Sequence, residues 1–202
     1  LGAKRVRPFR LHELEHIPRD QRDIYQGLLR AMPEAFFAPG FTKQVSELLQ
    51  QYLGFAVDIF LDSFRVVETN RLRSLIPGTT CLVIIGLSPR TEKIVVEVDL
   101  EFACRIVGAL LGTKGKAIDI HRPLTEIEQG VFLFIALKVL SLTHDGFLNP
   151  EQLSVRIEDI RNDVKSAADV LRTEHRWLCI THKLAFDVDV GAVRIFVPEG
   201  LA

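Results

Sequence analysis

The sequence predicts an α+β fold built by duplication. Each half is a helix followed by three mostly antiparallel strands, and long buried helices pack on the sheets. A triplet of strand-like runs in the first half recurs in the second. Each triplet follows an apolar helix, and each has a long first connection and a short second one. Apolar residues make up 48% of the 202, enough for a sizeable core. Two copies of one supersecondary unit would bury their apolar faces against each other in a pseudo-two-fold body.

Residues 1–20 are polar and basic, with Lys4, Arg5, Arg7 and Arg10 and with prolines at Pro8 and Pro18, and read as an extension. Residues 21–202 read as one domain. Asp20 can cap a helix to about Met32, with Ile24, Leu28 and Leu29 on one face. Pro33 and Ala38-Pro39-Gly40 end it. Thr42 is the expected cap of the next helix, which carries Val45, Leu48, Leu49 and Leu53 and stops at Gly54.

Alternating Phe55, Val57, Ile59 and Leu61 predict a first strand, the run Thr80 to Leu87 a second, and Lys93 to Val98 a third after a turn at Pro89. Asp99 should cap a helix to Leu111, striped by Phe102, Ile106, Val107 and Leu110 and stopped by Gly112. Thr125 and Glu128 form a capping box. The helix behind them, to about Leu142, is apolar nearly all round and is expected between layers. Strands follow near 153–160, 176–184 and 192–197.

The repeat reads at an offset of 98. Val57 and Ile59 then correspond to Val155 and Ile157, Cys81-Leu82 to Cys179-Ile180, and Val95 and Val98 to Val193 and Phe196.

Net charge is −1 and the pI about 6.7, which excludes a broad nucleic-acid or anionic-membrane surface. Cys81, Cys104 and Cys179 are odd in number and form no CxxC pair, so they read as buried free thiols of a reducing compartment. No signal peptide is visible. The longest apolar run, Val131 to Leu137, ends at Lys138, far short of the ~20 residues that span a bilayer. The expectation is a cytoplasmic protein without membrane insertion. Leu1 in place of Met suggests a fragment.

His12-Glu13-Leu14-Glu15-His16 matches HExxH, but Pro8 and Pro18 leave too little helix in a polar extension to orient zinc ligands, so a solvated turn is expected. Gly112-Thr113-Lys114-Gly115-Lys116-Ala117 has the wrong spacing for a phosphate loop and follows a helix. It is either a plain helix stop or a loop offered to a partner. The remaining histidines are scattered, and no nucleophile–base set can be argued. No catalytic residue, metal site or cofactor is expected. Two loops could serve assembly or be simply solvated: Asn70 to Gly78 with Arg71 and Arg73, and Arg161 to Arg176 with Arg161 and Arg172.

Leu110-Leu111-Gly112-Thr113-Lys114-Gly115, followed by Leu124-Thr125-Glu126-Ile127-Glu128-Gln129-Gly130-Val131, resembles the CheC-like domain of flagellar motor switch proteins of the FliM family. It also resembles the matching domain of the SctQ family, cytoplasmic-ring proteins of type III secretion injectisomes. Glu128-x-Gly130-Val131 looks more like the injectisome branch.

That resemblance implies a non-enzymatic component of a secretion sorting platform, peripheral to the bacterial inner membrane. Its expected partners are an adaptor to the membrane ring, an ATPase-linked stalk protein and its own SpoA fragment, with homo-oligomers in the ring and no nucleic acid. Full-length members carry C-terminal SpoA domains, expected beyond this chain. Gly112, Thr113, Lys114 and Gly115 take the place of a Gly-Gly-x-Gly loop that contacts the neighbouring rotor protein in flagellar relatives; Thr113 replaces the second glycine. The alternative is a flagellar motor switch protein. More remote is a CheC-type phosphatase, whose Glu-x-x-Asn is approached only by Glu47-x-x-Gln50, while Glu128 is followed by Val131.

Overall fold

The computed structural model describes residues 39–113, 122–143, 154–186 and 189–201. The chain runs α1 (Pro39–Leu53), β1 (Asp58–Glu68), α2 (Thr69–Leu75), β2 (Thr79–Ser88), β3 (Lys93–Val98), α3 (Leu100–Leu110), α4 (Glu126–Thr143), β4 (Ser154–Asp163), α5 (Ala168–Leu171), β5 (Arg176–Phe186) and β6 (Asp189–Pro198), closing on a 3-10 turn, Glu199–Leu201. The expected helix to Met32 and the HExxH match lie outside the described residues.

α1 already includes Pro39, whose fixed φ suits a first helical turn. Thr42 is therefore inside the helix and not its cap. The predicted stop holds: Gly54 has φ +76° and its N–H donates to the Gln50 carbonyl at 3.0 Å. The Ser46 hydroxyl then donates to the Val57 carbonyl at 2.5 Å, tying α1 to the approach of β1.

The strands form one six-stranded antiparallel sheet in the order β1-β5-β6-β3-β2-β4. Exchanging β1 with β4, β2 with β5 and β3 with β6 reverses that order onto itself. α1, α3 and α4 cover one face and enclose the larger core. α2 and α5 cover part of the other, over a second cluster around Trp177 and Phe196. β2 is buried along nearly its whole length because both its faces are covered, which explains its unbroken apolar run.

The single offset of 98 is wrong. Cys81 packs on the helical face with Val83 and Ile85, whereas Cys179 lies on the opposite face beside Trp177 and Phe196. A slip of one residue turns every side chain of a strand to the other face, so a like residue at the wrong parity is no equivalent. Pairing and side-chain direction agree at offsets of 96 for β1/β4, 97 for β2/β5 and 99 for β3/β6. Phe64 faces Ile180 as Ile160 faces Val83; Cys81 faces Val98 as Leu178 faces Val197. The irregularity between Leu61 and Ser63 of β1 recurs between Ile157 and Asp159 of β4.

Two expected loops contain helices. Arg71 and Arg73 belong to α2, and the stretch from Arg161 begins inside β4 and contains α5. Both short helices form because they bury apolar pairs, Leu72 with Ile76 and Val170 with Leu171, on the otherwise open sheet face. Thr69 helps to fix α2, its hydroxyl accepting from Trp177 Nε1 at 3.1 Å.

α4 is not enclosed all round. Phe132 and Ile135 face the core, but Ile127, Phe134 and Leu137 are 78%, 44% and 49% exposed. The helix lies on one layer, so only its inner side gains cover from the described residues.

Candidate partner-contact site

α3 begins where the Asp99 carboxylate accepts from the N–H of Glu101 at 2.9 Å and of Phe102 at 3.4 Å, the predicted cap. It ends in a Schellman turn. The Gly112 N–H donates to the Ala109 carbonyl at 3.1 Å and the Thr113 N–H to the Gly108 carbonyl at 2.9 Å. Gly112 sits at φ +84°, where a side chain would be strained. Leu111, Gly112 and Thr113 are all exposed. Lys114 and Gly115 lie outside the described residues.

The chain re-enters at Arg122, and here sequence reasoning missed a residue. Arg122 grips the Glu128 carboxylate with both Nη atoms at 2.7 Å, and its Nη1 also donates to the Pro123 carbonyl at 3.1 Å. The same carboxylate accepts from the Thr125 N–H at 2.8 Å and hydroxyl at 2.9 Å, while the Glu128 N–H donates back to the hydroxyl at 3.3 Å. The capping box is thus closed by an arginine fork. These donors, Arg122 foremost, hold the Glu128 carboxyl down to about 2. Leu124 is buried, and its carbonyl accepts from Gln129 Nε2 at 3.2 Å and Asn162 Nδ2 at 3.4 Å. The described residues on either side of the α3–α4 connection, Gly112–Thr113 and Arg122–Thr125, are therefore fixed. Arg122 follows the glycine loop and lies six residues from Glu128, so a paired Arg and Glu around a capping threonine was the available signal.

The other arginines do not form one surface. Arg161 is committed to Asp159, at 2.8 Å from Nε, and to Asp169 and the Ser166 carbonyl. Arg71 and Arg172 remain exposed, on α2 and just past α5.

Of the two glutamates weighed for a phosphatase pair, only Glu47 keeps an amide partner in sequence, Gln50, and Glu47 and Gln50 are both exposed on α1. Glu128 is consumed by its cap, and Glu47, exposed on α1, lies 3.8 Å from Lys43. Among the described residues no group of three or more His, Cys, Asp or Glu could hold a metal ion. Burial pushes the Cys81 thiol up to about 12 and the Cys104 thiol to about 11, so neither is poised as a nucleophile. No helix of the described residues is long and apolar enough to cross a membrane.

The same architecture occurs in known proteins. The FliM middle domain of H. pylori superimposes with a TM-score of 0.69 at 14% identity, covering 90% of this chain and 94% of that one. FliM in the FliG–FliM complex of H. pylori gives 0.71 at 17%, covering 90% and 94%. FliY of Thermotoga maritima gives 0.69 at 10%, covering 93% and 94%. At these identities the likeness defines the class by fold: the mixed helix and antiparallel-sheet architecture of FliM-like and CheC-like domains.

The sequence matches go further. The family model for the flagellar motor switch protein FliM matches residues 28–200. FliM of Borreliella burgdorferi is 29% identical over 139 residues, 68% of this chain and 40% of that protein. FliM of Treponema pallidum is 27% identical over 134 residues, 66% and 39%. The chain belongs to the FliM family. It spans about two fifths of the length of these relatives. The matches fall on the flagellar branch, and the injectisome branch suggested by Glu128-x-Gly130-Val131 gains nothing from them.

Proposed function

We propose that this chain is a scaffolding part of a flagellar rotor switch protein. It works by holding partners and copies of itself in a ring at the cytoplasmic side of the motor, with no bond chemistry. The stretch from Gly112 to Arg122 is its contact with a FliG-type rotor protein. The family match along most of the chain supports the flagellar reading, and a protein of the same fold has been solved in complex with FliG.

The observation that carries the contact assignment is that the described residues flanking this stretch are fixed, by the Schellman turn at Gly112 and by the Arg122–Glu128–Thr125 clamp. Exposed residues beside a fixed helix end, such as Thr113 after the Schellman turn, lose little entropy on binding.

The test is a calorimetric titration of the chain with the FliG of the same organism. Thr113→Asp and Lys114→Glu should each weaken binding at least ~10-fold, or about 1.4 kcal/mol, with unchanged urea midpoints. Wild-type affinity in both variants would move the contact elsewhere.

A further inference from the structure

Among the described residues the sheet has two edges, β1 and β4, each hydrogen-bonded to one neighbouring strand. An edge strand offers a row of unpaired N–H and C=O groups to any further strand. Both edges are interrupted, and at equivalent places. Leu61 faces His182 and Ser63 faces Thr181, so Asp62 is an extra residue in β1. Asp159 faces Ile84 and Ile157 faces Ile85, so Glu158 is an extra residue in β4. The core contacts agree. Ile59 and Phe64, five apart, pack on the same cluster under the helices, as do Ile157 and Ile160, three apart. An odd spacing on one face of a strand requires a bulged residue between.

Both bulged residues are acids, and both reach inboard. Asp62 meets Lys183 of β5 at 2.6 Å, and Glu158 meets Lys93 of β3 at 2.7 Å. To do so Glu158 crosses β2 over Gly86, where an added Cβ would lie 2.2 Å from its Oε1. By the offsets found for the strand pairs, Gly86 is the equivalent of Lys183, and Lys93 of Ala192. The lysine thus sits on different strands in the two halves, while the bulged acid and its ion pair are common to both.

We propose that the two bulged acids close the sheet edges to strand addition by a second copy of this chain. The extra residue breaks the regular ladder that an added strand would need, and the inward-turned carboxylate keeps a charge beside it. β1 needs this most. Phe60 and Leu61, just before its bulge, are 57% and 54% exposed. Their equivalents on β4 are Arg156 and Ile157, and Arg156 adds its own contact to Glu158 at 3.2 Å. Copies of the chain then meet through surfaces other than these edges.

The test is sedimentation velocity of the chain, wild type against variants with one residue deleted. Deleting Asp62 joins the pairs Leu61–His182 and Ser63–Thr181 into a regular ladder and turns no side chain to the other face. It should tighten self-association at least ~10-fold, with outward β1 amides newly protected in hydrogen exchange. Deleting Glu158 should have a smaller effect, because Arg156 still charges that edge. Adding Leu61→Lys to the Asp62 deletion should return the wild-type distribution, since a lysine on an edge opposes pairing. If the deletion variant fails to fold, Asp62→Thr with Lys183→Thr keeps the chain length and should shift association in the same direction. The proposal is overturned if neither the deletion nor the double-threonine variant associates more tightly than wild type, or if the new association survives Leu61→Lys.

Discussion

Replacing Arg194 with leucine should destabilise the chain by about 3 kcal/mol at pH 8, and by less as the solution is acidified. The two halves of the sheet meet only along β3 and β6, over the pairs from Val95–Phe196 to Val98–Val193. Glu97 lies directly opposite Arg194 in this seam. It is fully buried and accepts from Arg194 Nη1 at 2.5 Å and from the Thr80 hydroxyl at 2.7 Å.

Removing one partner of a buried ion pair costs roughly 3–5 kcal/mol, because the other charge stays uncompensated. The Arg194 side chain is 23% exposed, which places the cost at the lower end. Burial raises the Glu97 pKa above its ordinary value, with Thr80 and Arg194 pulling it back. A carboxyl whose folded pKa is raised favours the folded state when protonated. Its contribution to stability therefore improves as pH falls through the folded pKa towards the unfolded value near 4.5.

Losing Arg194 raises that pKa further, so the penalty is larger at high pH and shrinks as pH falls towards the unfolded value near 4.5. Urea unfolding of wild type and variant from pH 5 to 8 measures it, with a midpoint shift of about 1–3 M expected at pH 8. Adding Glu97→Leu to Arg194→Leu should recover most of the loss. A penalty below about 1 kcal/mol, or one that does not change with pH, would refute the reasoning.

Gly112→Ala should cost about 1 kcal/mol in urea melts, because φ +84° strains any side chain; a neutral variant would contradict the Schellman assignment. Glu128→Gln should cost about 1 kcal/mol at pH 7 through the weakened cap. Wild type should also lose stability as pH falls from about 4.5 through about 2, since its folded pKa is depressed; the Gln variant should lack that component, and identical acid limbs would count against the fork. Gly86→Ala would place a Cβ 2.2 Å from Glu158 Oε1, displacing the carboxylate from Lys93, which it meets at 2.7 Å. A loss of about 0.5–1 kcal/mol is expected, absent when Glu158→Ala is the background.

What the sequence revealed was mostly what acts within four residues. Asp99, Gly54, Gly112 and the Thr125–Glu128 box each mark a helix end through bonds to their own turn, so residue type and spacing suffice. α2 and α5 were hidden because a single turn carries little periodicity; Leu72 and Ile76 were in view, but their burial depends on Trp177 and Phe196 arriving from distant strands. The matching Cys81 and Cys179 drew the repeat to one offset, while the connections between strands differ in length and shift the true equivalences to 96, 97 and 99. An all-round apolar α4 suggested enclosure, yet apolar composition does not say how many layers cover a helix. Arg122 was missed because it acts across a cap it does not belong to, although its pairing with Glu128 around Thr125 was legible in the spacing.

A crystal structure of this chain bound to the FliG of its own organism would test the proposed contact most directly. The account predicts the partner seated on the turn between Gly112 and Arg122, with Arg122 still gripping Glu128 and the β3–β6 seam unchanged. A partner seated on the sheet edges or on α2 and α5, with that turn free in solvent, would contradict it.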